Sequence, residues 1–204
     1  NIGSAEVLGI PGITVGINQA DILVSKAASD GTVVDFKKMK DSGNAVDVTT
    51  GVDALGETKH VVFDISGSRG QLIKVEADVT IHLGDFVMLD GIIGFEKSTS
   101  DVYAAKGSTS TKKNLNIISL YGANLNAFVG VNGGTADETG LKLTDVDFTL
   151  ALLNDKAGVQ SWSALKAHAG SVGIVGLGDS LTISANEVNV DMNRASADGS
   201  VIDF

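Results

Sequence analysis

Residues 13–36, ITVGINQADILVSKAASDGTVVDF, return as residues 181–204, LTISANEVNVDMNRASADGSVIDF, at a constant offset of 168 residues and without a gap. Thr14, Asn18, Ala27, Asp30-Gly31, Val33 and Asp35-Phe36 meet identical residues. Most other pairs keep their character, among them Ile13/Leu181, Ile22/Val190, Lys26/Arg194 and Val34/Ile202. Self-similarity at a fixed period marks repeat architectures, whose units bury their apolar faces against their neighbours. Residues 1–204 are therefore expected to form a single all-β repeat segment, about 1.2 copies of a 168-residue repeat. The second copy stops where the first reaches Phe36, which suggests a piece of a longer tandem array.

Composition favours strands. Small and β-branched residues dominate, glycine is abundant at 25 and Pro11 is the single proline. Such a chain is too apolar for disorder and better suited to pleated surfaces than to helices. A net charge of −10 argues against nucleic acid, whose phosphates need a basic stripe, and against an anionic membrane surface. No run of 18 apolar residues is present, so no transmembrane segment is expected. The chain has no cysteine, which is compatible with the extracellular space.

Along the chain, Gly9-Ile10-Pro11-Gly12 reads as a turn. Residues 37–59 are the least apolar stretch and are expected to be a polar loop excursion. Strands are expected at 60–65 and 72–83, and in the latter Val75, Ala77, Val79, Ile81 and Leu83 fall on one face. Residues 12–26, 85–98, 114–133, 140–155 and 180–194 share one design: a short alternating strand, a small or polar corner, and a second alternating strand. In residues 181–192 the inward set is Leu181, Ile183 and Ala185, then Val188, Val190 and Met192. The alternation slips at Asn186-Glu187, and again around Tyr121–Asn124. A one-residue slip exchanges the two faces, so each slip requires a bend or bulge. Trp162–Ala169 carries a weak helical signal, and the glycine-rich stretch after it reads as strand. These units fit an all-β fold, either an elongated β-solenoid or an antiparallel meander or sandwich with Asp-Gly hairpins. The A-N-x-V and T-D-V corners favour the solenoid.

The segments VTIHLGDFVMLDGIIGFEKS, ISLYGANLNAFVGVNGG, GLKLTDVDFTLALL, WSALKAHAGSVGIVGLGDSLTISANEVNVDMN and DGSVIDF resemble the repeats of giant bacterial cell-surface proteins of the adhesin-like, RTX or calcium-binding kind. The resemblance covers residues 9–36 and 60–204. It implies an extracellular, filamentous or adhesive role at the bacterial cell surface. The RTX nonapeptide G-G-x-G-x-D-x-U-x is absent, so its calcium roll is not implied.

Acidic loops are the candidate metal ligands: Asp137 and Glu138 in a glycine-rich turn, Asp145 and Asp147 alternating on one strand, and Asp41, Asp47 and Asp53 in the polar excursion. Ca2+ takes six to eight oxygens, and such carboxylates supply them. The same residues also suit solvated Asx-turns. Asp30-Gly31 and Asp198-Gly199 read as structural turns, with glycine supplying a positive φ. His60, His82 and His168 are far apart, no G-x-S-x-G occurs, and GIVGLG at 173–178 lacks the glycine order of a dinucleotide loop. A β-helix lyase needs clustered basic residues, whereas the chain holds two arginines, Arg69 and Arg194. The expectation is a non-enzymatic structural repeat that stacks or pairs end to end with neighbouring copies. A calcium-stabilised or carbohydrate-binding β-domain is the alternative.

Overall fold

A computed structural model of the chain describes residues 5–6, 13–84, 86–178 and 183–204. The turn expected at Gly9–Gly12, and Leu181 and Thr182 of the second copy, lie outside these residues. Two compact units are present, Asn1–Ile22 with Lys74–Phe204, and Leu23–Ile73. The strands are β1 (Ala5–Glu6), β2 (Ile13–Ser25), β3 (Asp47–Val52), β4 (Thr58–Val62), β5 (Leu72–Leu83), β6 (Val87–Lys106), β7 (Thr109–Val131), β8 (Thr139–Asn154), β9 (Ser161–Val175), β10 (Ile183–Arg194) and β11 (Val201–Asp203). A short helix, α1, spans Phe36–Asp41.

The main sheet follows the order β1-β2-β5-β6-β7-β8-β9-β10, with β11 added to β6. The fold is all-β, and the sheet is open. Its described registers are antiparallel throughout. This corrects the lean towards a solenoid and matches the meander. Lys106 pairs with Thr109 across a two-residue loop, a connection that antiparallel neighbours alone can use. Gly107 takes φ 60° in that loop. Trp162–Ala169, read as weakly helical, lies within β9. Its own propensity is overruled by long pairings with β8 and β10.

Each strand–corner–strand unit is one long bent strand. β7 runs 23 residues and β6 runs 20. Asn124, Asp145 and Glu187 sit at the corners with φ of 52°, 53° and 52°, and Gly91 with 130°. These positions are in line. Gly91 lies opposite Asn124 and Leu125, where the β6–β7 register shifts. Asp145 and Glu187 both lie opposite Gly170 of β9. A Cβ on Gly170 would meet that of Asp145 at 3.1 Å, so glycine gives the crease room. The alternation slips seen in sequence at Asn186-Glu187 and near Asn124 are therefore two points on one crease across five strands.

One end of the sheet holds the described hydrophobic cluster: Ala104 of β6, Leu115 of β7, Leu153 of β8, Trp162 of β9 and Ile202 of β11. Elsewhere the faces are less covered than periodicity suggests. Of the five residues that share one face of β5, Val79 alone is buried. Ile183, Val190 and Met192 of β10 are exposed. Alternation predicts which residues share a face, and burial depends on whether a neighbouring element covers it.

The smaller unit contains α1 and the antiparallel β3–β4 hairpin. The region 37–59 is thus largely regular, which corrects the loop expectation. Asp35 caps α1 by accepting from the Lys38 N–H at 3.0 Å. The rings of Phe36 and Phe63 lie 5.1 Å apart. Every residue of β3 and β4 is exposed.

Candidate functional site

The carboxylates proposed as metal ligands lie in separate loops and strands, and several have local partners. Asp41 pairs with Lys37 at 2.8 Å and Asp47 with His60 at 3.2 Å. Asp53 accepts from the N–H groups of Leu55 and Glu57 at 2.9 and 3.0 Å, an Asx-turn. Glu138 pairs with Lys142, which holds its carboxyl below the usual glutamate range. Asp137 lies in the β7–β8 loop, where its carbonyl accepts from the Asn132 side chain at 3.4 Å. Asp145 sits on the crease, and Asp147 accepts from the Asn124 N–H at 2.9 Å. Among the described residues no three of His, Asp or Glu come together as a metal cluster. No helix among them is long and apolar enough to cross a membrane.

The most completely partnered polar cluster lies where the C-terminal segment meets the sheet. Residues 195–200 form a turn closed by Ser196 N–H to Ser200 C=O at 2.8 Å and Gly199 N–H to Ser196 C=O at 2.9 Å, with Gly199 at φ 82°. The Asp198 carboxylate accepts from the Ser200 hydroxyl at 2.6 Å and the Ser200 N–H at 3.0 Å. It also accepts from Gln160 at 2.6 Å. These bonds, led by that of the Ser200 hydroxyl, hold the Asp198 carboxyl below the usual aspartate range. Beyond the turn, β11 pairs Val201, Ile202 and Asp203 with Ala105, Ala104 and Tyr103 of β6.

Trp162 organises this seat. Its side chain is buried, and its indole N–H donates to the Ser200 carbonyl at 3.0 Å and hydroxyl at 3.1 Å. A buried indole N–H needs an acceptor, and the turn supplies two. Lys113 lies 5.5 Å from the centre of the Trp162 ring and donates to Gln160 at 2.7 Å. Asn193 of β10 donates to the Ile202 carbonyl at 2.7 Å. The segment 195–204 is thus held by β6, β9 and β10 together. A core role for Trp162 follows from its size and apolarity. Its partner does not, because Ser200 lies 38 positions away.

A second cluster crosses β6. Tyr121 of β7 donates to Glu76 of β5 at 2.6 Å, and Lys74 pairs with Glu76 at 2.9 Å. The ring passes over Gly94, the β6 residue paired with Tyr121, where any Cβ would overlap it. The bond from Tyr121, then the pairing with Lys74, hold Glu76 below its usual range. Glu76 and Tyr121 lie on β5 and β7, on either side of β6. They tie three strands together.

In the first copy, residues 27–36 build the same turn. Ala28 N–H donates to Thr32 C=O at 2.8 Å and Gly31 N–H to Ala28 C=O at 3.0 Å, with Gly31 at φ 85°. Asp30 accepts from the Thr32 N–H at 2.9 Å and hydroxyl at 2.7 Å, which likewise lower its pKa. No family model, curated protein or solved structure matches the chain.

Proposed function

We propose that the chain is a structural repeat of an extracellular bacterial surface filament or adhesin, in which neighbouring repeats stack or pair end to end. The observation that carries this reading is the recurrence of residues 13–36 at 181–204, with the same turn built around Asp30-Gly31 and Asp198-Gly199. Such repetition serves architectures that extend by adding like units. The acidic balance and the lack of cysteine suit the cell exterior. Asp41, Asp47 and Asp53 are held by local partners, which favours scaffolding over chemistry.

The test is the size of the source polypeptide on a denaturing gel, with peptide mapping of both ends. A polypeptide much larger than 20.9 kDa, with recurring near-copies of the SVIDF junction, is the expected result. A polypeptide of 20.9 kDa overturns covalent tandem repetition.

A further inference from the structure

The two copies of the repeated stretch share sequence and turn geometry but not surroundings. Ile202 is 2% exposed in the second copy, and its counterpart Val34 is 54% exposed in the first. Ser196 and Ser200 are buried, whereas their counterparts Ala28 and Thr32 are exposed. The next aromatic reverses the order. Phe36 packs on Phe63 in the first copy, and Phe204 is 85% exposed in the second. Each copy therefore satisfies half of one pattern. The isoleucine or valine faces a preceding sheet, and the phenylalanine faces a following helix and hairpin.

The strand register supports the same equivalence. With a one-residue gap, GSAEVLGI at 3–10 matches GSVGIVGL at 170–177. Ala5 and Glu6 then correspond to Val172 and Gly173. In the first copy Ala5 pairs with Ile17 and Glu6 with Gly16. In the second, Val172 pairs with Ala185 and Gly173 with Ser184, the counterparts of Ile17 and Gly16. β1 is thus placed on β2 as the end of β9 is placed on β10. β2 also has β5 on its other edge, where β10 has no described partner. A Cβ on Gly16 would meet Thr80 at 3.8 Å or more, an ordinary contact, so the serine at 184 does not bar a β5-like neighbour.

We propose that residues 27–36 are a docking segment for a second copy of this chain. They occupy the preceding copy's β6–β9 seat as residues 195–204 occupy it here, and the free edge of β10 receives β5 of the following copy. The proposal rests on the repeat reading and names its interface. The fit is close. Asp30 holds Thr32 as Asp198 holds Ser200, which aims the Thr32 carbonyl to accept the Trp162 N–H. Val34 fills the place of Ile202 with one methylene fewer. The segments differ at four positions: Ala28/Ser196, Ser29/Ala197, Thr32/Ser200 and Val34/Ile202. Paired in this way, the sheet runs unbroken from copy to copy and both of its edges are covered.

The test uses a two-copy chain, residues 1–204 continued by 37–204, beside the one-copy chain. Ala104→Cys and Ile202→Cys are placed in the first copy, where these residues pair directly on β6 and β11. The chain has no cysteine of its own to interfere. The expected result is the same extent of disulfide between the two introduced thiols in both chains. A cross-link confined to the one-copy chain, or absent from both, overturns the proposal. A cysteine-free full chain carries Ser196→Ala, Ala197→Ser, Ser200→Thr and Ile202→Val, which puts the first copy's segment in the second copy's place. Trp162 is the single tryptophan, so its emission reads the seat. Emission unchanged from the parent is expected. A red shift to the position given by Ile202→Asp overturns the fit. A source polypeptide much larger than 20.9 kDa whose two-copy chain lacks the cross-link would leave the covalent array standing and remove the docking.

Discussion

The segment at 27–36 and the segment at 195–204 are nearly the same peptide under two conditions. Both form the same Asp-Gly turn with the same internal hydrogen bonds. Local sequence therefore suffices for the turn. It does not suffice for burial. Ile202 is covered because β6, β7, β8 and β9 supply Ala104, Leu115, Leu153 and Trp162 around it, whereas Val34 stands exposed. The contrast separates what the segment encodes within itself from what the surrounding sheet supplies.

The largest expected effect comes from placing a charge at both positions. Ile202→Asp should lower unfolding stability in urea by about 3–5 kcal/mol, through lost packing and an unpaired buried carboxylate. Val34→Asp should change it by no more than about 0.5 kcal/mol in the one-copy chain, as expected of an exposed site. Equal losses would break the comparison. Next is Trp162→Phe, which leaves the Ser200 carbonyl without its indole donor and should cost about 1–3 kcal/mol in the same assay. Thr32→Ala, in the uncovered copy, should cost less than half as much. Gly16→Ser, which gives the first copy the residue of the second, should alter thermal stability by under about 1 kcal/mol, because the added Cβ makes ordinary contacts. The smallest effect is one of pH. Asp30 and Asp198 are both held below the usual aspartate range, chiefly by Thr32 and Ser200 respectively. A depressed folded pKa adds stability above the unfolded value of about 3.9, and that stability is lost as pH falls through the folded value. Carboxyl titration by NMR should find both groups mostly ionised at a pH of about 3.9. A normal titration for Asp198 beside a depressed one for Asp30 would break the claim that the two segments build the same turn.

Sequence patterns exposed the repeat, the Asp-Gly turns, the all-β class and the face slips at Asn124 and Asn186-Glu187. They concealed that each slip lies within one long strand. A corner between two alternating runs looks the same whether the chain turns back or only bends, and the difference is set by the partner's register. They also misjudged β10, whose apolar set is alternating and yet exposed. β10 stands at the end of the described sheet order, with β9 on one side. The Glu76–Tyr121 tie is not legible in the sequence, because the gap over Gly94 that lets the ring reach Glu76 exists only once three strands are aligned. Residues 37–59 read as a loop because polar residues hide a hairpin whose strands bury nothing.

The crease through Gly91, Asn124, Asp145, Gly170 and Glu187 also bears on misfolding. Long strands of similar composition can slide past one another at little cost where the pleat is uniform. Here a slide of one residue would move a left-handed backbone away from the glycine opposite it and set it against a Cβ. The pairs β6–β7, β8–β9 and β9–β10 are thereby indexed where a left-handed residue meets a glycine, as teeth index a rack. If neighbouring copies pair as proposed, the same indexing penalises mispairing between them before any side chain is compared.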